Sequence, residues 1–220
     1  MQDILDHIAT AHVRYQLPRP QHRTQLIAVS KTHGHDKIMP LIEQGQRVFG
    51  ENKVQEAQSK FTELKPQQQL ELHLIGQLQS NKIADACALF DVIHTLDRKK
   101  LADGFAKARD KGTALPQLLI QINTGEEPQK GGVLPQEAPE FINYCKTLAL
   151  PVAGLMCIPP AGSNPAPHFL LLKNMAQQHN LKELSMGMSA DYELATAMGA
   201  TMVRVGSAIF GERNSSAIHS

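Results

Sequence analysis

The sequence has no excess of charge of either sign. Its 220 residues include 22 lysines and arginines against 21 aspartates and glutamates, which gives a formal net charge of +1. Proteins that bind nucleic acid or anionic membranes through a broad surface usually carry a clear basic excess. Both classes are therefore disfavoured.

Long apolar runs and cysteine patterns are also missing. No apolar run approaches the ~20 residues that a membrane-spanning helix requires. The segment from Met1 to Asp6 contains acids and no apolar signal core, so we expect no secretion signal. Cys87, Cys145 and Cys157 lie far apart and show no metal or redox spacing. An odd number of separated cysteines favours a reducing, cytoplasmic location.

The chain instead shows a regular alternation of short apolar runs and amphipathic stretches. Strands that alternate with helices predict parallel pairing, and eight such units predict an α/β fold, a single (β/α)8 barrel of the TIM type. We expect one domain over residues 1–220, an extra N-terminal helix within residues 3–15 and a frayed tail at 214–220. The alternative is a doubly wound open sheet, whose dinucleotide-binding form is weakened because no G-x-G-x-x-G follows the first strand. The predicted strands are Leu26–Ser30, Arg47–Gly50, Glu71–Ile75, Val92–Thr95, Gln117–Asn123, Val152–Cys157, Leu184–Met186 and Thr201–Val205.

Lys31 directly follows the first of these strands. A short run rich in Leu, Ile and Val is typical of a strand buried on both faces. At the end of such a strand, desolvation disfavours the ammonium and makes a neutral amine available for imine chemistry. The alternative is a surface lysine whose charge simply reaches solvent.

The last two strands run into loops that contain glycine and serine. Phosphate sites in such barrels often use the loops after strands seven and eight. Gly187 lets the backbone approach an anion closely, and Ser189 can donate its hydroxyl. Gly206 and Ser207 present backbone N–H groups to the same space. The alternative is a pair of ordinary turns.

Arg204 interrupts an apolar strand and is expected to be buried. A buried arginine must be paired or hydrogen-bonded, either in a structural ion pair or as a donor to a ligand ring nitrogen. A strand-end lysine, a phosphate cradle and a buried arginine together favour pyridoxal 5′-phosphate (PLP). Its aldehyde would form an imine with Lys31, its phosphate would bind Ser189, Gly206 and Ser207, and its ring nitrogen would meet Arg204.

The same residues carry a family resemblance that spans nearly the whole chain. The chain resembles the pyridoxal phosphate homeostasis proteins (YggS-like), relatives of the barrel domain of alanine racemase. The matching stretches, in the family's order, are AVSKT (28–32), FGEN (49–52), VQE (54–56), HLIGQLQSNK (73–82), IHTLD (93–97), GLMCIP (154–159), LSMGMS (184–189) and MVRVGSAIFG (202–211).

The resemblance implies a PLP-binding barrel that buffers or delivers the cofactor without established catalytic turnover. It implies that Lys31 is the imine lysine and that Asn52 and His73 lie near the cofactor ring. It also implies a monomer, with enzymes that lack their PLP as possible recipients. The alternatives are a weak PLP-dependent racemase or related amino-acid-processing enzyme, and a barrel enzyme that acts on a sugar phosphate.

Two further features of the sequence have a structural and a functional interpretation. The segment 125–132 is either a solvated loop or a mobile flap whose Lys130 meets the cofactor. His33 and His35 have the spacing of metal ligands, but no third ligand is close in sequence, so we expect no metal site.

Overall fold

The computed structural model describes residues 1–211, in which eight strands alternate with helices. The strands are β1 (Gln25–Val29), β2 (Val48–Glu51), β3 (Glu71–Leu74), β4 (Val92–Leu96), β5 (Gln117–Ile122), β6 (Val152–Cys157), β7 (Glu183–Ser185) and β8 (Met202–Val205). The α-helices are α1 (Gln2–Arg14), α2 (His35–Glu43), α3 (Val54–Phe61), α4 (Leu64–Gln68), α5 (Ile83–Leu89), α6 (Lys99–Asp110), α7 (Ala138–Thr147), α8 (Ala166–Gln178), α9 (Tyr192–Ala197) and α10 (Ser207–Phe210). A 3₁₀ turn, Ser80–Lys82, precedes α5.

The strands form one closed barrel in sequence order. Each strand pairs in parallel with the next, and β8 returns to pair with β1, where Ile27 lies opposite Arg204. This closure confirms the predicted (β/α)8 barrel and excludes the open sheet. Every predicted strand coincides with an observed one to within one residue at each end.

The period of two along each strand divides its side chains between two regions. One set packs outward against the helices, as Leu26 and Ala28 do. The other set fills the barrel lumen with a smaller apolar cluster. That cluster consists of Ile27, Val92, Leu119, Met156 and Met202. Buried polar residues, among them His73, His94 and Arg204, share the lumen with this cluster.

The expected N-terminal helix is present as α1 and packs beside α9. His7 Nδ1 lies 3.0 Å from the hydroxyl of Tyr192, and Arg14 pairs with Glu193. Among residues 1–211, no helix has the length and apolar character needed to cross a membrane. The tail expected to fray, 214–220, lies outside the described residues.

Candidate functional site

Lys31 lies just beyond β1, in a tight turn. The N–H of His33 donates to the carbonyl of Ser30 at 3.1 Å and closes the turn. Thr32 has a φ of +65°, which is uncommon for a β-branched residue and persists only where neighbouring contacts hold it. Such a contact exists, because the N–H of Thr32 donates to Glu56 Oε1 at 2.5 Å.

The ammonium of Lys60, on α3, connects both sides of this turn. It donates to the carbonyl of Ser30 at 2.9 Å and to Glu56 Oε1 at 2.7 Å. Burial acts to raise the pKa of Glu56, but the hydrogen bonds from Lys60 and from Thr32 outweigh it and leave that pKa below its usual range. Glu56 is therefore an ionised acceptor that holds Thr32 in place.

Glu51 completes this network from the end of β2. Its side chain is fully buried, and Oε1 accepts hydrogen bonds from Ser30 Oγ at 2.7 Å and from Lys60 Nζ at 2.9 Å. Its Oε2 is buried with no hydrogen-bond partner among the described residues. Burial raises the pKa of Glu51. A buried carboxylate in this position depends on Lys60 for compensation.

Backbone N–H groups after β8 converge on a hydroxyl from the β7 loop. The N–H of Gly206 lies 3.2 Å from Ser189 Oγ, and that of Ala208 lies 3.4 Å from the same oxygen. Ser207, which begins α10, is exposed. Gly187 has a φ of +91°, and a Cβ on it would lie 2.5 Å from the Cβ of Ala195. This glycine therefore lets the β7 loop turn close to α9.

The loops after β8 and β1 lie next to each other. A Cβ on Gly206 would lie 3.4 Å from the Cβ of Val29, two residues before Lys31. The rings of His33 and Phe210 stack with their centroids 4.5 Å apart. The strand-end lysine and the convergent N–H groups therefore share the seam at which the barrel closes.

Asn52 lies between β2 and α3, beside the end of β3. A Cβ on Gly76 would lie 2.2 Å from the backbone oxygen of Asn52. No side chain fits there, so the two strand ends approach at backbone distance. Asn52 is half-buried at the same end of the barrel as Lys31.

Arg204 is buried in the lumen, as predicted from its place in an apolar strand. Its Nη1 donates to Ser185 Oγ at 2.5 Å, and its Nη2 donates to the carbonyl of Cys157 at 2.8 Å. Desolvation lowers the pKa of the guanidinium. Among the described residues the partners of Arg204 are neutral acceptors, so the structural ion pair considered for it is absent from that part of the chain.

Two histidines continue this line of hydrogen bonds across the lumen. His94 Nδ1 lies 2.8 Å from Ser185 Oγ, and His94 Nε2 lies 2.8 Å from His73 Nδ1. His73 Nε2 lies 2.8 Å from Glu71 Oε1. A break in strand register between Ile93 and Leu96 coincides with His94, and such irregularities re-aim side chains.

Burial lowers the pKa of His94 well below its usual range, and the positive charge of Arg204 adds to this effect. The hydrogen bond from His73 instead lowers the pKa of Glu71. His73, predicted to lie near the cofactor ring, is fully buried and uses both ring nitrogens within this line. Its neighbours His94 and Ser185 lie in stretches that carry the family resemblance, and Glu71 begins a predicted strand, but the sequence predicted no role for any of the three.

The segment 125–132 is tied to the barrel by several bonds. Asn123 Nδ2 donates to the carbonyl of Glu127 at 2.9 Å, and Gln121 Nε2 donates to that of Gly131 at 2.8 Å. Lys130 pairs with Glu127 at 2.5 Å and donates to the carbonyl of Pro159 at 3.3 Å. The role of Lys130 as a flap residue stays a prediction.

Comparison with known proteins identifies the family. A family model described as the N-terminal domain of alanine racemase matches residues 9–214. The fold and the strand-end residues thus define a barrel of the alanine racemase N-terminal type. A pyridoxal phosphate homeostasis protein from Aquifex aeolicus is 42% identical over 207 residues, which cover 89% of this chain and 90% of that protein. This chain belongs to the pyridoxal phosphate homeostasis protein family, and the resemblance stated from its motifs is confirmed.

Solved structures agree with this assignment. PipY of Synechococcus elongatus, without PLP, matches with a TM-score of 0.78 and 39% identity, covering 94% of this chain and 100% of PipY. PipY with PLP bound matches with a TM-score of 0.74 and 37% identity over the same shares of the two chains. PLP is therefore a ligand of a close relative with the same barrel.

Proposed function

We propose that this protein binds PLP as an imine on Lys31 and takes part in intracellular PLP homeostasis, by buffering or delivering the cofactor, without catalytic turnover. The observation that carries the proposal is the seam between β8 and β1. There Lys31 lies two residues after Val29, and Val29 lies against Gly206, whose N–H converges with that of Ala208 on the hydroxyl oxygen of Ser189. An amine and a set of anion donors lie on neighbouring strand ends, as a phosphorylated aldehyde requires.

The residues present fit PLP. Backbone N–H groups and a serine hydroxyl are suitable donors to a phosphate. We assign the binding of the PLP phosphate to Ser189, Gly206 and Ser207. Arg204 would be the buried donor to the pyridine nitrogen, and Asn52, at the end of β2, would lie beside the ring. His73 has both nitrogens bonded inside the barrel, so we give it an indirect role through Arg204.

The charge of Arg204 favours binding over catalysis. PLP, when bound, supplies an aldehyde for imine formation and a ring that acts as an electron sink. That sink is strongest when the pyridine nitrogen is protonated, whereas an arginine beside the nitrogen donates a hydrogen bond and leaves it unprotonated. The site thus retains the cofactor with little activation of a bound amino acid.

The chain's tyrosines argue against the alternative of a weak racemase. Racemisation needs acid–base groups on both faces of the substrate, and Lys31 can serve only one. All three tyrosines lie in helices or directly next to one: Tyr15 is the C-cap of α1, Tyr144 donates to Asp103 of α6, and the hydroxyl of Tyr192 meets His7 of α1. We infer that none supplies the second group.

Trapping the imine tests the binding proposal. PLP is added, the mixture is reduced with borohydride, and the digested protein is analysed by mass spectrometry. We expect the pyridoxyl group on Lys31 and its loss in Lys31→Ala. Lys107→Ala, at an exposed lysine of α6, is the control and should be labelled like the unaltered protein. A label on another residue, or no label, contradicts the proposal.

Proton exchange tests the claim that there is no turnover. The PLP-loaded protein is incubated with amino acids in deuterated water, and the α-proton is followed by NMR. We expect no prompt exchange. Rapid exchange that is lost in Lys31→Ala would establish the racemase-like alternative. A cytoplasmic location, a monomeric state and delivery to enzymes that lack PLP stay predictions.

A further inference from the structure

A line of hydrogen bonds crosses the lumen from Arg204 through Ser185, His94 and His73 to Glu71. Its two end residues have opposite hydrogen-bonding roles. Arg204 can only donate, because a guanidinium carries no acceptor. At the other end Glu71 has a pKa that its bond with His73 lowers, so it is an ionised carboxylate that can only accept. The direction of every bond between these ends is therefore constrained from both sides.

Ser185 fixes the direction at the arginine end. Its Oγ accepts from Arg204, so its single proton needs another acceptor. Among the described residues that acceptor is His94 Nδ1, at 2.8 Å. Since burial keeps His94 neutral, a ring that accepts at Nδ1 carries its proton on Nε2 and donates it to His73 Nδ1 at 2.8 Å.

The proton on His94 Nε2 also fixes the directions of the bonds that lead to Glu71. His73 accepts at Nδ1, so its Nε2 holds a proton that is donated to Glu71 Oε1 at 2.8 Å. The other oxygen of Glu71 accepts from Gln25 Nε2 at 3.1 Å. In the competing arrangement, His73 is a cation and His94 is protonated on Nδ1. That arrangement leaves the proton of Ser185 without an acceptor among residues 1–211.

We propose that Glu71, His73, His94 and Ser185 form a one-way hydrogen-bond chain, with both imidazoles neutral and protonated on Nε2, and that this chain positions Arg204. The inference rests on the proposed function where it assigns Arg204 to the pyridine nitrogen. Each described partner of Arg204 is an acceptor, so the guanidinium keeps its charge and its orientation. The four residues are positioning residues, since they act through Arg204.

The hydrogen-bond chain links opposite ends of the barrel. Glu71 begins β3, whereas Lys31 follows the end of β1, and parallel strands place these positions at opposite ends. The side chain of Glu71 is 39% exposed while that of His73 is fully buried. The geometry at the cofactor end is thus set in part by a carboxylate that contacts solvent at the far end.

The first test needs no cofactor. Protein labelled with 15N-histidine, free of PLP, is examined at neutral pH by long-range 1H–15N correlation, with signals assigned in the unaltered protein from correlations to neighbouring strands. We expect both His73 and His94 as neutral Nε2–H rings. A protonated His73, or a proton on Nδ1 of His94, would overturn the proposed direction whether or not PLP binds.

The second test measures the effect on Arg204. PLP labelled with 15N at the pyridine position is bound, and its nitrogen shift is recorded. We expect the shift of an unprotonated nitrogen, moved towards the protonated value in both Arg204→Gln and Ser185→Ala, with PLP affinity about tenfold lower in Ser185→Ala because a bond to a charged group is lost. Ser59→Ala, an exposed serine of α3, is the control and should leave both readouts unchanged.

The two proposals fail in different ways. If Arg204→Gln leaves the nitrogen shift unchanged, the role given to Arg204 in PLP binding is wrong. If Arg204→Gln moves the shift but Ser185→Ala does not, only the positioning chain is wrong. Should Ser185→Ala fold poorly, Glu71→Met removes the accepting end from a half-exposed position. It should replace the single Nε2–H state of His73 and His94 by mixed tautomers, and unchanged tautomers would contradict the chain.

Discussion

The ammonium of Lys60 holds the turn that carries Lys31, and Lys60→Met tests its contribution. The substitution keeps the shape of the side chain but removes the cation from buried Glu51. Loss of one partner of a buried ion pair leaves an uncompensated charge, so we expect the free energy of unfolding at pH 7 to fall by about 3 kcal/mol. Urea unfolding measures this, with Lys107→Met as the control at an exposed site.

The pH dependence identifies Glu51 as the cause. Burial raises the folded-state pKa of Glu51 above its unfolded value. The folded state therefore binds more protons, and stability rises as pH falls towards that pKa. Lys60→Met should consequently regain stability between pH 7 and pH 5, and the double variant Lys60→Met/Glu51→Gln should lose that pH dependence. An equal loss at every pH would contradict this explanation.

At the scale of residues, the sequence drew attention to polar residues that end or interrupt an apolar run. Lys31 ends an apolar run and Arg204 interrupts one, so both were visible without a structure. Lys60 and Glu51 could not be predicted, because a charged residue on a helix and another at a strand end are ordinary. Their importance comes from a 2.9 Å contact and from burial, and both arise only when α3 packs on β2.

At the scale of elements, Gly187 lies in the loop that connects β7 with α9. A Cβ there would approach the Cβ of Ala195 and, at 3.1 Å, the Cα of Tyr192. Gly45 is a matched control, since its φ is +92° but nothing lies within 4 Å of its Cβ position. We expect Gly45→Ala to cost only the backbone strain of about 1 kcal/mol. Gly187→Ala should cost about 3 kcal/mol, because overpacking against α9 adds to that strain.

The same pair of variants tests the phosphate cradle. Displacement of the β7 loop moves Ser189, so Gly187→Ala should weaken the binding of PLP much more than that of pyridoxal, which lacks the phosphate. Gly45→Ala should leave both affinities unchanged. Equal weakening of PLP and pyridoxal would show that the loop after β7 does not recognise the phosphate.

Elements were more predictable than their contacts. Short apolar runs, followed by polar or glycine-containing loops, identified all eight strands, because both features depend on local sequence. The pairing of β8 with β1 followed only from the number of units. The lumen partners His94 and Ser185 lie 91 residues apart, and no local pattern specifies which inward-facing polar residues will meet once the barrel closes.

At the scale of the whole molecule, buried His94 makes stability depend on pH near neutrality. Its folded-state pKa lies well below the ordinary value, chiefly through desolvation, so below about pH 6.5 the unfolded chain takes up a proton that the folded protein excludes. This contribution is present at pH 7 and is lost as pH falls, at up to about 1.4 kcal/mol per pH unit. His33 and His179, whose pKa values are also lowered by desolvation, likewise reduce the stability as pH falls. Glu51, whose pKa is raised by burial, increases it.

Removal of the imidazole separates His94 from these other groups. The free energy of unfolding is measured in urea at pH 7, 6 and 5 for the unaltered protein, His94→Gln and His22→Gln, the last at an exposed histidine. We expect His94→Gln to be less stable at pH 7, since it breaks the lumen chain, but to lose less stability on acidification. His22→Gln should follow the unaltered protein at each pH. If His94→Gln keeps the full slope, the ring inside the barrel accepts a proton at pH 5. The lumen then tolerates a second positive charge beside Arg204, and a neutral His94 cannot be what directs the hydrogen bonds.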